Sequence, residues 1–205
     1  MTSLRHNASS EQAQPQTAYL DAARACILDV GWRRTTLTEV ARRAGVSRMT
    51  IYRAWPDMPA VLADLMTREW GEVAARAVGD ADAALGDRAS AVDRIVAEVL
   101  ATTKALRDNE LFVRIVELDP ELLLPYLLTR RGRSQEAIAE LTAGRLREGQ
   151  QDGSVREGDP VAIARALLLA AHGFVLSVHT MVDDEVGEDD LDRELEHLVR
   201  MAVTR

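Results

Sequence analysis

Small and apolar residues recur at three- and four-residue intervals along the chain, the spacing that builds one face of an α-helix. From about Thr17 to Val30 the inward set is Ala18, Ala22, Ala25, Cys26 and Ile27, and Gly31 supplies a stop. Thr36-Leu37-Thr38-Glu39 reads as a capping box, in which the threonine takes the amide three residues on and Glu39 reaches back. The short helix it opens carries Val40, Ala41 and Ala44 on one face and closes at Gly45, where no Cβ opposes a left-handed turn. Ser47 then caps a second short helix with Ile51 and Trp55 inward. Pro56-Asp57 breaks the chain, and Asp57 caps a helix from about Met58 to Val78. Two short helices joined by a tight glycine turn make a helix-turn-helix. Arg48, Met49, Thr50, Tyr52 and Arg53 are left to face outward.

The pattern stays helical beyond residue 80, with helices expected near 89–107, 109–118, 119–130, 134–151, 160–182 and 189–203. Asp119-Pro120 and Asp159-Pro160 each read as an N-cap followed by proline at the first helical position. Residues 1–16 are polar and aperiodic, so they are expected to form a flexible arm. The expected class is all-α, with three parts: the arm at 1–16, a three-helix helix-turn-helix head at 17–62, and a larger helical body at 63–205.

Composition supports helix over sheet, because aromatics make up only 4% of the 205 residues. Charge changes the picture more. The formal net charge is -8, yet residues 1–60 carry +3 and residues 61–205 carry -11. A basic end on an acidic remainder is the pattern of a chain that meets a polyanion at one end only. The single cysteine, Cys26, allows no internal disulfide and no Cys-based zinc site, and fits a core position in a reducing compartment. The longest apolar run, 166–178, is shorter than a bilayer span and holds a histidine, so no membrane partner and a cytoplasmic location are expected. There is no nucleophile–base pair, phosphate loop or metal spacing, which argues against an enzyme and against a cofactor.

The segment "TLTEVARRAGVSRMTIYRAWPDMPAVL", 36–62, resembles the DNA-binding head of the TetR family of transcriptional regulators. With the preceding "AARACILDVGWRRTT" the resemblance spans roughly residues 17–65. It implies a homodimer on a palindromic DNA operator, released when a small-molecule effector enters the body, and a repressor as the usual mode. Carried over position by position, Thr36, Thr50 and Tyr52 look like phosphate contacts, while Arg48, Met49 and Arg53 fall at base-reading positions. Met49 is read either as touching a thymine methyl or as packing. Arg42 and Arg43 are read either as phosphate contacts or as solvated charge. The chain departs from the family pattern at Met58-Pro59, where many members carry a lysine. That departure is the support for a second reading, a small-molecule-binding or protein-interaction module without specific DNA binding.

In the body, Ala166, Ala170, Gly173 and Ser177 on one helix and Leu191, Leu195, Leu198 and Ala202 on the last form stripes of small and apolar residues. They are read either as intramolecular core or, as the resemblance implies, as the surface that pairs two protomers. Phe112, Leu118, Tyr126, Phe174 and Leu176 are read either as walls of an effector cavity or as parts of a solid core. His172 and His179 share a helical face and are open to three readings: buried hydrogen-bonded groups, pocket-lining groups, or metal ligands lacking a third partner. No metal site is assigned.

Overall fold

The structure is a computed structural model describing the backbone of residues 6–205 and the side chains from residue 16 onward. Ten α-helices are described: α1 His6–Val30, α2 Leu37–Arg43, α3 Arg48–Ala54, α4 Met58–Leu85, α5 Ala91–Arg107, α6 Glu110–Leu118, α7 Leu124–Leu128, α8 Arg133–Asp152, α9 Pro160–Ser177 and α10 Glu188–Val203. No strand is present among the described residues, only an isolated bridge between Val155 and Thr204. By compactness the chain forms two units, one of Met1–Arg68 with Val113–Thr129 and one of Glu69–Phe112 with Arg130–Arg205. The first thus takes in all of 17–62 together with a later segment of the chain.

The first unit is built on the helix-turn-helix. Leu20, Ala23, Cys26 and Ile27 of α1 are buried, as are Leu37, Val40 and Ala41 of α2, Ile51 of α3 and Val61, Leu62 and Leu65 of α4. Ala18, expected inward, is exposed, because the buried stripe runs through Leu20, Ala23 and Ile27 instead. α1 starts at His6, so residues 6–16 of the expected arm are helical, and 1–5 lie outside the described residues. Glu11, Gln12, Ala13 and Gln14 are good helix formers and extend a helix already anchored further on, although Pro15 within it cannot donate to the carbonyl four residues back.

The second unit centres on α5, α8, α9 and α10, whose Ile95, Val96, Leu146, Ala164, Leu167, Leu195, Val199 and Val203 form one apolar cluster. Ion pairs clamp α5 to α10 near both ends. Arg107 holds Asp192 through two contacts of 3.0 and 2.9 Å, and Arg200 holds Asp93 at 2.9 Å. Burial raises the Glu98 carboxyl above its ordinary range, and Arg145, 2.9 Å away, opposes that shift.

Three helix boundaries differ from those expected. α4 passes Gly79 and ends only before Gly86, whose φ of 72° terminates it. Alanines at 81, 83 and 84 sustain the helix across the glycine, which costs about 1 kcal/mol. The span 119–130 is a 3-10 turn, Pro120–Leu122, followed by the five-residue α7. Pro125 at the start of α7 lacks an N–H and disfavours helix in the residue before it. Asp119 makes no side-chain cap, because its buried carboxylate pairs with Arg33 at 3.1 Å. Finally, α9 stops at Ser177 and a 3-10 turn covers Val178–Thr180.

Candidate nucleic-acid interface

Each part of the head has a local cause. The Thr36 hydroxyl accepts from the Glu39 amide at 3.2 Å and so caps α2. The other half of the expected box is not made: the Glu39 carboxylate binds Arg42 through contacts of 2.9 and 2.5 Å instead, which holds the acid below the usual carboxylate range. Gly45 turns the chain with φ +67°. The Ser47 hydroxyl then caps α3 by accepting from the Thr50 amide at 3.2 Å, and it lies 2.9 Å from the Thr50 hydroxyl. Asp57 accepts from the Ala60 amide at 2.8 Å and caps α4. Ile51 is fully buried, and Trp55, 3% exposed, ends α3. The Trp55 indole N–H donates to Asp64 of α4 at 2.7 Å, and Tyr19 of α1 meets its ring edge-on at 6.4 Å. The C-terminal end of α3 is therefore tied to both α1 and α4.

What α3 presents follows from helical rotation. With Ile51 pointing to the core and about 100° per residue, Met49 and Arg53 lie at roughly 160° and 200°, opposite the core. Arg48 and Tyr52 lie on one flank, at roughly 60° and 100°. Met49 is 63% exposed and Tyr52 is 49% exposed. The alternative in which Met49 packs within the head is excluded by that exposure. Thr50, on the opposite flank, is half-buried.

The arginines divide into two groups. Arg33 pairs with Asp119 and Glu121, Arg42 with Glu39, and Arg43 with Asp29 at 2.5 Å. Among the described residues, Arg48 and Arg53 are exposed and have no carboxylate partner. Sequence reasoning put Arg48 and Arg53 at base-reading positions and left Arg42 and Arg43 open between phosphate contact and solvation. The structure pairs the latter two with acids, signalled in the sequence for Arg42 by Glu39 one helical turn away but not for Arg43 by Asp29. Cys26 is buried at 1% exposure, and its burial pushes the thiol up.

Comparison with known proteins fits this geometry. Residues 20–65 match the family described as "Bacterial regulatory proteins, tetR family". Over 189 residues the chain is 35% identical to an HTH-type transcriptional regulator of Mycobacterium tuberculosis, covering 92% of this chain and 94% of that one. The chain belongs to the TetR family. At the level of fold, this TetR-family regulator is similar to the solved Rhodococcus erythropolis repressor QsdR, with a TM-score of 0.66 at 15% identity over 94% of this chain and 97% of that one. It is also similar to Bacillus subtilis FadR in complex with stearoyl-CoA, with a TM-score of 0.63 at 19% identity over 91% and 98%.

The remaining candidates of this TetR-family regulator fall in both units. Leu118, exposed, and Tyr126, half-buried, belong to the first unit; Phe112, His172, Phe174, Leu176 and His179 belong to the second. Phe112 is buried and meets Trp70 edge-on at 5.8 Å. Phe174 packs on the α5–α8–α9–α10 core. His172 is half-buried with its Nε2 3.2 Å from the Gln135 amide, and burial lowers its pKa. His179, in contrast, is exposed in the 3-10 turn after α9, so the two histidines do not share one environment. No group of three His, Cys, Asp or Glu able to hold a metal occurs among the described residues.

On α9, Ala166, Ala170, Gly173 and Ser177 are all exposed, as is Leu169 at 71%. On α10, Leu198 is exposed, Leu191 and Ala202 are half-buried, and Leu195 is fully buried. Leu195 is therefore core and does not belong to an outer face: it lies one turn from Val199 on the side turned toward α5 and α9. Met201, 64% exposed, joins Leu198 on the outer face instead. By length and composition alone Pro160–Thr180, 21 residues, is long and apolar enough to cross a bilayer, so the expectation that no stretch reaches that length does not hold. Counting only the uninterrupted run missed the apolar positions before Arg165. Ile163, Ala164, Leu167 and Val175 of that helix are buried in the second unit.

Proposed function

We propose that this regulator is a cytoplasmic repressor that binds a palindromic operator as a homodimer and lets go of it when a small-molecule effector binds. The observation that carries the reading is the pair of exposed guanidinium groups at Arg48 and Arg53, without an acid partner among the described residues, on a helix fixed by Ile51 and Trp55. Each can neutralise a phosphate or fork onto guanine O6 and N7. In this reading Thr36 and Tyr52 serve as phosphate contacts, and Thr50 adds its hydroxyl. The exposed face of Ala166, Leu169, Ala170 and Gly173, with Leu198 and Met201, supports pairing of two protomers through α9 and α10. Two-fold pairing spaces the recognition helices about 34–36 Å apart or a multiple of it, matching a two-fold operator. The fold holds stearoyl-CoA in the B. subtilis regulator, which supports a small-molecule effector here.

The test is a footprint on the intergenic DNA next to the gene, at several salt concentrations, repeated with candidate effectors. A protected palindrome that weakens steeply with salt, and is lost in Arg48→Ala, is the expected result. Equal retention of every duplex, or of none, in dilute buffer overturns the proposal.

A further inference from the structure

The ridge of α3 that points directly away from the core consists of one apolar residue, Met49, and one cation, Arg53, a turn apart. Nothing in the head accounts for Met49: it is 63% exposed while Ile51 and Trp55 supply the packing. A thioether has no hydrogen-bond donor and is only a weak acceptor, so it cannot distinguish bases by their polar edges. The one apolar feature on the major-groove edge of a base pair is the thymine C5 methyl. The neighbouring Arg48 and Arg53, with no acid partner among the described residues, make a polyanion the occupant that this ridge suits.

Resting on the operator-binding reading above, we propose that Met49 selects a thymine through its C5 methyl, beside a guanine held by Arg53. Side chains one helical turn apart are separated by roughly 5–6 Å, and successive base pairs rise about 3.4 Å. The thymine and the guanine therefore lie one or two base steps apart in each half-site. Arg48 and Tyr52, on the flank, carry contacts that do not depend on sequence.

The experiment is selection from a randomised duplex pool with the full-length protein, its Met49→Ala variant and its Arg53→Ala variant. The enriched duplex is then remade with uracil in place of the selected thymine, which removes the methyl and nothing else. In the wild type, a thymine one or two steps from an invariant guanine is expected in each half-site, and uracil weakens binding about three- to tenfold. Met49→Ala loses the thymine preference and the uracil penalty but keeps the guanine; Arg53→Ala loses the guanine. Retention of the thymine preference by Met49→Ala, or indifference of the wild type to uracil, overturns the inference while leaving operator binding intact. Failure of the wild type to enrich any sequence overturns operator binding itself, and this inference with it.

Discussion

At Arg53 the guanidinium charge faces solvent with no acid against it among the described residues, whereas Arg42 one element earlier is held by both oxygens of Glu39. A cation already matched to a carboxylate is not free to fork onto a guanine edge. Arg53→Ala is therefore expected to weaken operator binding roughly tenfold and to relax the preference for guanine at its position. Arg42→Ala is expected to stay within about threefold of the wild type, with the guanine preference unchanged. Fluorescence anisotropy on operator duplexes with that guanine kept or replaced separates the two. An equal loss in both variants contradicts the division of the arginines made above.

Within the elements, close approach and burial decide the outcome. Gly149 of α8 is buried where an added Cβ falls 2.3 Å from a Val155 methyl and 2.7 Å from the Ala91 Cβ. Gly149→Ala is expected to lower unfolding free energy by about 1–3 kcal/mol in urea denaturation, as overpacking does. His172 makes a second case. Its pKa is lowered in the fold, so the unfolded chain binds more protons around and below the ordinary histidine value near 6.5. Stability therefore falls as pH drops through that range, and His172→Gln is expected to flatten the fall in urea midpoint between pH 7 and 5. The helix-turn-helix was legible in the sequence because Thr36, Gly45, Ser47 and Asp57 punctuate it locally. The surroundings of His172 and the missing cap at Asp119 were not, because they depend on partners far along the chain, Gln135 and Arg33. For the same reason periodicity put Leu195 on the outer stripe, although it lies in the core. The break before α7 did have a local signal in Pro125, which reading 119–130 as one helix passed over.

For the whole molecule, the exposed face of α9 and α10 sets the expected assembly. Ala170 is exposed, so a glutamate there leaves the protomer's own packing untouched. Ala170→Glu is expected to sediment as a monomer, with an unchanged thermal transition in the dilute protomer, and to lose operator binding. Leu195→Ala, by contrast, is expected to destabilise the protomer by about 2–5 kcal/mol, because it opens a cavity in the shared core. A dimer that survives Ala170→Glu places the contact elsewhere.

The bond between the Trp55 indole and the Asp64 carboxylate also bears on descent. Were the acid lost, the indole nitrogen would be stranded in a buried site. That step is penalised wherever the tryptophan is kept, so a tryptophan at 55 is expected to be inherited together with an acceptor at 64.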